Sequence, residues 1–94
     1  MMTNPSISIL MPTYNDNNYI SHAIESVLSQ LYRHWQLIII NDGSTDNSTE
    51  TINKYISDKR IIYIEKRENE GQLNAIKTGS QFITGDYVTI LHSD

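Results

Sequence analysis

Residues 35–44, Trp-Gln-Leu-Ile-Ile-Ile-Asn-Asp-Gly-Ser, decide the fold. From Trp35 to Ile40 the run is almost continuously apolar, and Ile38, Ile39 and Ile40 are β-branched. Alternation would mark a strand with one wet face. An unbroken run marks a strand covered on both faces, as in parallel sheets under two layers of helix. It stops abruptly at Asn41-Asp42-Gly43-Ser44, residue types suited to a tight turn. A strand of this kind needs parallel neighbours and crossover helices that reach them, so the flanking sequence has to supply both.

Upstream, Ile7 to Met11 make a second short apolar run, expected to stop at Pro12 because proline has no N–H to give a ladder. After the polar stretch Thr13 to Asn18, the residues Ile20, Ile24, Val27, Leu28 and Leu31 recur at helical spacing, with Asp16 or Asn17 as the cap. Downstream, Thr45 or Asp46 is suited to cap a second helix whose inner face carries Ile52, Tyr55 and Ile56, and a third strand is expected from Arg60 to Ile64. The charged loop 65–70 leads to Gly71 and a third helix over about 72–83, with Leu73, Ile76, Gly79 and Ile83 facing inward. Gly79 marks a close approach of that helix to the sheet. Gly85 ends the segment, and Tyr87 to Leu91 form a fourth strand. The order β-α-β-α-β-α-β predicts an α/β fold in one domain over residues 1–94. Its expected form is an open, doubly wound, parallel, Rossmann-like sheet of about four strands and three helices.

Composition narrows the function classes. In 94 residues, 38% hydrophobic and 19% charged, there is material for one core and no sign of disorder. Seven basic and eleven acidic side chains leave a net charge of −4, and the longest basic runs are pairs such as Lys59-Arg60 and Lys66-Arg67. Nucleic acid is therefore excluded as the main partner, because phosphate neutralisation needs a concentrated basic face. The absence of cysteine removes disulfides, thiolate zinc sites and a cysteine nucleophile together. No apolar stretch reaches the roughly 18–20 residues of a membrane span, and a cytoplasmic location is expected. Neither a dinucleotide glycine loop, a P-loop nor a hydrolase nucleophile elbow is present, which sets aside dehydrogenases, P-loop NTPases and α/β-hydrolases.

In open parallel sheets ligands bind beyond the carboxyl ends of the strands, where strand order reverses. Four segments follow strands here: Pro12 to Asn15, Asn41 to Ser44, Lys66 to Gly71, and His92 to Asp94. All are expected on one edge. Tyr14 can stack on a planar base while Thr13 and Asn15 offer hydrogen bonds, although a tyrosine in a polar turn is also ordinary. Asp42, at the lip of an apolar strand, is suited to accept an N–H from a base or sugar. Asn41, Gly43 and Ser44 fit either ligand contact or plain turn chemistry. Ser93 and Asp94 are oxygen donors of the type hard divalent ions prefer. Among Lys66, Arg67 and Lys77, any of which could meet a diphosphate or pair with a nearby glutamate, Lys77 is the preferred candidate.

Taken together, Ile9-Leu10-Met11-Pro12-Thr13-Tyr14-Asn15, Ala23 to Gln30, Ile40-Asn41-Asp42-Gly43-Ser44-Thr45-Asp46-Asn47-Ser48, Asn69-Glu70-Gly71 with Ala75 and Gly79, and Gly85-Asp86-Tyr87-Val88 running to Ser93-Asp94 resemble family 2 glycosyltransferases of the GT-A fold. The resemblance covers nearly the whole chain. It implies the N-terminal, nucleotide-sugar-binding half of an inverting transferase, bacterial in most cases, that builds polysaccharide or another glycoconjugate. Pro12, Thr13 and Tyr14 would cradle the nucleoside, and Asp42 would accept from the base, often uracil. Asp94 would fall in the metal and diphosphate motif. The implied cofactor is a divalent ion, Mn²⁺ or Mg²⁺, in the full-length enzyme. His92 stands at that motif's first acidic position and the next one lies past residue 94, which puts metal binding by the fragment in question. The implied partners are a UDP-sugar donor and, in the full-length protein, a glycan or lipid-linked acceptor, with membrane association there as an option. The general base would lie past residue 94, so the fragment is expected to be inactive alone and to self-associate through exposed sheet surface. Two other readings stand beside this one: a nucleotidyltransferase-like enzyme, and a non-catalytic α/β binding or interaction module. The first lacks a glycine-rich basic loop after strand one. The second would want more carboxylates where Pro12-Thr13-Tyr14 stands.

Overall fold

A computed structural model describes residues 4–93. Its elements follow the expected order: β1 Ile7–Thr13, α1 Asn17–Leu28, β2 Trp35–Asn41, α2 Ser48–Asn53, β3 Ile61–Glu65, α3 Gln72–Ser80 and β4 Tyr87–Ile90. The four strands form one sheet in the order β3-β2-β1-β4, and every neighbouring pair is parallel. The order reverses between β1 and β4, so the switch point lies at the end of β1.

Strand parity assigns the two cores. Ile9 and Met11 of β1 and Leu37 and Ile39 of β2 pack with Ile20, Ile24 and Val27 of α1 and Ile52 of α2. Leu10, Ile38 and Ile40 point the other way, onto Ala75 of α3. Adjacent residues on a strand face opposite sides, so burying both sets requires helices on both faces. On the α3 side the cover is thin and close. A Cβ on Gly79 would fall 2.6 Å from Ile40 Cδ1 and 3.2 Å from Leu10 Cδ2, so the small residues of α3 let its backbone rest on the sheet.

The structure corrects several boundaries. Pro12 does not stop β1: it pairs with Ile40 inside the strand. Ile7 and Thr13 hydrogen-bond toward the β2 side, whereas the Leu10 carbonyl accepts from Leu91 on the β4 side. By alternation the Pro12 nitrogen also faces β4, where pairing ends at Ile90, so the β1–β2 ladder loses no bond. α1 ends at Leu28, and Leu31, expected on its inner stripe, is 96% exposed. Ile56 and Leu73 are exposed as well. α2 stops at Asn53, before Ile56 can join its inner face, and α3 buries Ala75 and Gly79, with Ile76 partly buried beside them, and leaves Leu73 out. β4 is an edge strand whose Tyr87, Val88 and Ile90 are all exposed.

At the carboxyl edge the loops cross closely. Gly43 has φ +76°, and a Cβ there would run into the Glu68 carbonyl carbon and lie 2.6 Å from Asn69 N. Asp46 takes the Ser48 N–H at 2.9 Å and the Ser48 hydroxyl on Oδ1, and the Asn17 N–H at 3.1 Å on Oδ2. One carboxylate therefore serves the first turns of both α1 and α2. Burial pushes the Asp46 carboxyl up, but the hydrogen bonds from Ser48 and Asn17 outweigh it and hold the group below its ordinary value.

Two predictions follow from these contacts. Gly43→Ala should lower stability by at least about 2 kcal/mol in chemical denaturation, because it meets both a left-handed backbone and a backbone clash. A group depressed in the folded state stabilises above its unfolded value, near 4, and loses that contribution as pH falls through the folded value. Wild type should therefore lose stability relative to Asp46→Asn as pH drops from about 5 to 2; parallel stability curves would refute the assignment.

Candidate functional site

Past Leu10 and Ile90 the main chains of β1 and β4 part, and the last backbone bond between them runs from Leu91 N–H to the Leu10 carbonyl at 2.9 Å. A crevice of about 280 Å³ opens there. All four segments that follow strands contribute to it. β1 and its turn supply Pro12, Thr13, Tyr14 and Asp16. Asp42 comes from the end of β2, Asn69 and Gln72 from the β3–α3 connection, and His92 and Ser93 from the end of β4.

The Tyr14 ring is 44% exposed at the rim. Asp42 lies deeper, and the structure gives it a task that its position in the sequence does not reveal. Its Oδ1 accepts the Glu70 N–H at 3.1 Å and its Oδ2 the Gly71 N–H at 2.9 Å. Lys66 Nζ sits 3.8 Å from Oδ1, and its side chain is only 11% exposed. The same ammonium pairs with Glu70 Oε1 at 2.7 Å and hydrogen-bonds Asn74 Oδ1. A buried carboxylate without such partners would be costly. Two backbone donors leave about half of its acceptor positions, so Asp42 clamps the 69–71 loop and still lines the crevice.

Of the residues proposed from sequence, Pro12, Thr13, Tyr14, Asp42 and Ser93 line one crevice. Asn15, Gly43 and Lys77 do not line it. Asn15 adopts φ +52°, a conformation asparagine tolerates, and braces the neighbouring loop. Its N–H donates to Ser44 Oγ at 2.9 Å and its Oδ1 accepts the Thr45 N–H at 2.8 Å. Gly43 lies beneath the crevice, against the 68–69 backbone. Lys77 sits exposed in the last turn of α3, roughly 8 Å along the helix axis from Gln72. Asp94 lies outside the described residues.

Sequence reasoning did not assign Asp16, Asn69 or Gln72 to the crevice. Asp16 reads as a helix cap, but its carboxylate makes no cap hydrogen bond and instead accepts from the Ser93 hydroxyl. Gln72 opens α3 directly after the positive-φ Gly71, and its Nε2 lies 2.9 Å from His92 Nδ1. The preference for Lys77 over Lys66 overlooked chain geometry: Lys66 follows β3 immediately, at the edge itself, whereas Lys77 is a turn and a half into a helix that leads away from it.

Chemically, the crevice offers an aromatic face, hydroxyls and two carboxylates, and no lysine or arginine lines it. Among the described residues no three histidine, aspartate or glutamate side chains are grouped to hold a metal ion, so these residues alone do not fit a resident cation. No helix among them is long and apolar enough to cross a membrane.

Comparison with known proteins places this arrangement. The family model described as "Glycosyl transferase family 2" matches residues 8–94. An uncharacterized glycosyltransferase of Haemophilus influenzae is 45% identical over 99% of this chain. The chain spans 38% of that relative's length and 14% of the length of others. Among solved structures, the mannosyltransferase PcManGT from Pyrobaculum calidifontis, in complex with GDP-Man and Mn²⁺, superposes with a TM-score of 0.90 at 22% identity. That match covers 98% of this chain and 28% of that one. S. aureus TarS 1-349 in complex with UDP-GlcNAc gives 0.88 at 23% identity, covering 95% of this chain and 26% of that one. At such identities the structural likeness speaks for the fold, which is that of GT-A glycosyltransferases. The match over residues 8–94, joined to the parallel sheet and its edge crevice, makes the chain a member of glycosyl transferase family 2.

Proposed function

We propose that residues 1–94 are the nucleotide-sugar-binding half-domain of an inverting glycosyltransferase that takes a UDP-sugar and builds a polysaccharide or other glycoconjugate. The observation that carries this reading is the convergence of Tyr14, Asp42 and Ser93 on one crevice at the β1/β4 switch point. A ring at the rim suits a nucleobase face. A carboxylate is an acceptor only, so the free positions of Asp42 suit a base that presents a ring N–H, as uracil and guanine do and adenine and cytosine do not. The TarS complex with UDP-GlcNAc and the PcManGT complex with GDP-Man are in keeping with that chemistry.

The part these residues play is to bind and orient. Tyr14 fixes the base plane, Asp42 its edge, and the Asp42 clamp on Glu70 and Gly71 holds the 69–71 wall in place. Lys66 Nζ, 3.8 Å from Asp42 Oδ1, sets a positive charge beside the buried carboxylate. Deprotonation of an acceptor hydroxyl, and the glycan or lipid-linked acceptor itself, belong in this reading to the rest of a longer protein. A divalent cation belongs there too, with Asp94 as one ligand. The exposed outer edge and apolar side chains of β4 would draw copies of this chain together.

Titration of the chain with UDP should shift backbone resonances at Tyr14 and Asp42, with ADP and CDP at least tenfold weaker. Tyr14→Ala should cost about 1–3 kcal/mol of UDP affinity, the usual contribution of one base stacked on an aromatic ring. Shifts confined to a different edge of the sheet would sink the reading. The isolated chain should turn over no UDP-sugar. In light scattering its mass should rise with concentration; a monomer at every concentration would remove the proposal about β4.

A further inference from the structure

Asp16 precedes α1, and its carbonyl accepts the N–H groups of Tyr19 and Ile20, each at 2.8 Å. An aspartate there ordinarily turns its carboxylate onto the free amides of the first helical turn. This one does not, and the Asn17 N–H goes to Asp46 instead. The Asp16 carboxylate reaches across the crevice to the Ser93 hydroxyl. Ser93 is 3% exposed and also hydrogen-bonds Thr13 Oγ1 at 3.1 Å. The bond matters because of where it lies. Among the described residues no backbone hydrogen bond joins residues 11–16 to residues 92–93, so these side chains are the link across the widening gap between β1 and β4. A helix cap is forgone and a span across the crevice is made in its place.

We propose that Asp16 is a positioning residue for donor binding. By holding Ser93 it sets the separation between the turn that carries Tyr14 and the end of β4 that carries His92, and so presents the crevice preformed to the nucleotide. This rests on the donor-site reading above. Preforming matters energetically because a site that must first order its own walls binds more weakly by the cost of that ordering.

The test compares wild type with Asp16→Ala, Asp16→Asn, Ser93→Ala and the double alanine variant, using UDP as the probe in calorimetry and backbone hydrogen exchange without nucleotide. Each single alanine variant should weaken UDP binding about tenfold, the scale of one buried hydrogen bond to a charged group. The double variant should be no weaker than Ser93→Ala alone, because that variant already removes the bond to Asp16 along with the one to Thr13. Asp16→Asn keeps an acceptor in place and should restore most of the affinity. Exchange at His92 and Ser93 should speed up in the alanine variants and stay near wild type in Asp16→Asn. Unchanged exchange overturns the link itself. Faster exchange with unchanged UDP affinity reduces Asp16 to a structural staple, and losses that add in the double variant, or an equal loss in Asp16→Asn, also overturn the proposal. A wild-type chain that binds no UDP overturns the donor reading and this one with it. Normal wild-type binding with indifferent variants overturns this one alone.

Discussion

Burial of β1 and β2 on both faces is the constraint from which the rest follows. Once Ile9, Met11, Leu37 and Ile39 must face one helical layer and Leu10, Ile38 and Ile40 the other, the register of the two strands is fixed. A slip of one residue would exchange the two sets. Register in turn determines what happens at the carboxyl edge. Thr13 lies opposite Asn41, and the next residues of both chains leave the sheet side by side. Asn41 continues the parity of Leu37 and Ile39, so its amide meets Thr49 of α2 and the Tyr63 hydroxyl of β3. Asp42 has the opposite parity, that of Ile38 and Ile40, and meets the start of α3. Two adjacent polar residues are thus sent to opposite faces by the same rule that sorts the core, and each anchors a different helix.

The polar edge is held by networks of different charge character. On the α2 side, Asn41, Thr49, Tyr63 and Glu65 form a connected set in which the Tyr63 hydroxyl donates to Glu65 Oε1 at 2.8 Å and Thr49 donates to the same oxygen at 3.0 Å. Burial pushes the Tyr63 phenol up, and the neighbouring Glu65 carboxylate adds to the shift, so the hydroxyl stays a donor. On the α3 side, Asp42 has backbone amides and an ammonium for partners. The first network is satisfied mainly by side chains, with the Ser44 N–H as a backbone donor to Asn41 Oδ1 at 3.0 Å. The second is satisfied through backbone that must be in position, which ties the wall of the crevice to the integrity of the 69–71 loop and explains why Gly43 has to pass so close beneath it.

Much of the fold was legible because the sequence keeps one pattern per element. The apolar run before Asn41 and the stripe of Ile20, Ile24 and Val27 can be read without knowing any contact. Element ends were less legible. Leu31 fits the stripe of α1 but falls past a helix that stops at Leu28, and nothing in a periodicity reports where the partner surface ends. Pro12 misleads for a related reason: whether a missing N–H matters depends on which neighbour it faces and how far that neighbour extends, a property of β4 rather than of β1. At the crevice, the strand ends and the switch-point rule predicted that Tyr14 and Asp42 would share one edge, and both line the crevice. That rule could not reveal that the Asp16 carboxylate leaves its helix for Ser93, since the two are 77 positions apart and only the assembled sheet brings them together.

The same topology explains why the crevice forms at this place and not elsewhere on the edge. β2 and β3 remain neighbours to their ends, where Asn41 still pairs with Glu65 and the Lys66 N–H still reaches the Asn41 carbonyl at 2.9 Å. Between β1 and β4 the connecting helices lie on opposite faces: α1 leaves β1 toward one layer, while α3, which precedes β4, packs in the other. α1 and α3 start from opposite faces of the sheet, and the gap opens between their first turns, where Asp16 and Gln72 line it. The gap therefore has backbone only at its flanks and side chains across it, which is the condition under which a few residues, here Tyr14, Asp16, Asp42 and Ser93, set what the crevice admits. A larger residue at Ser93 would fill that space rather than line it, and a shorter one would leave the two flanks to move independently.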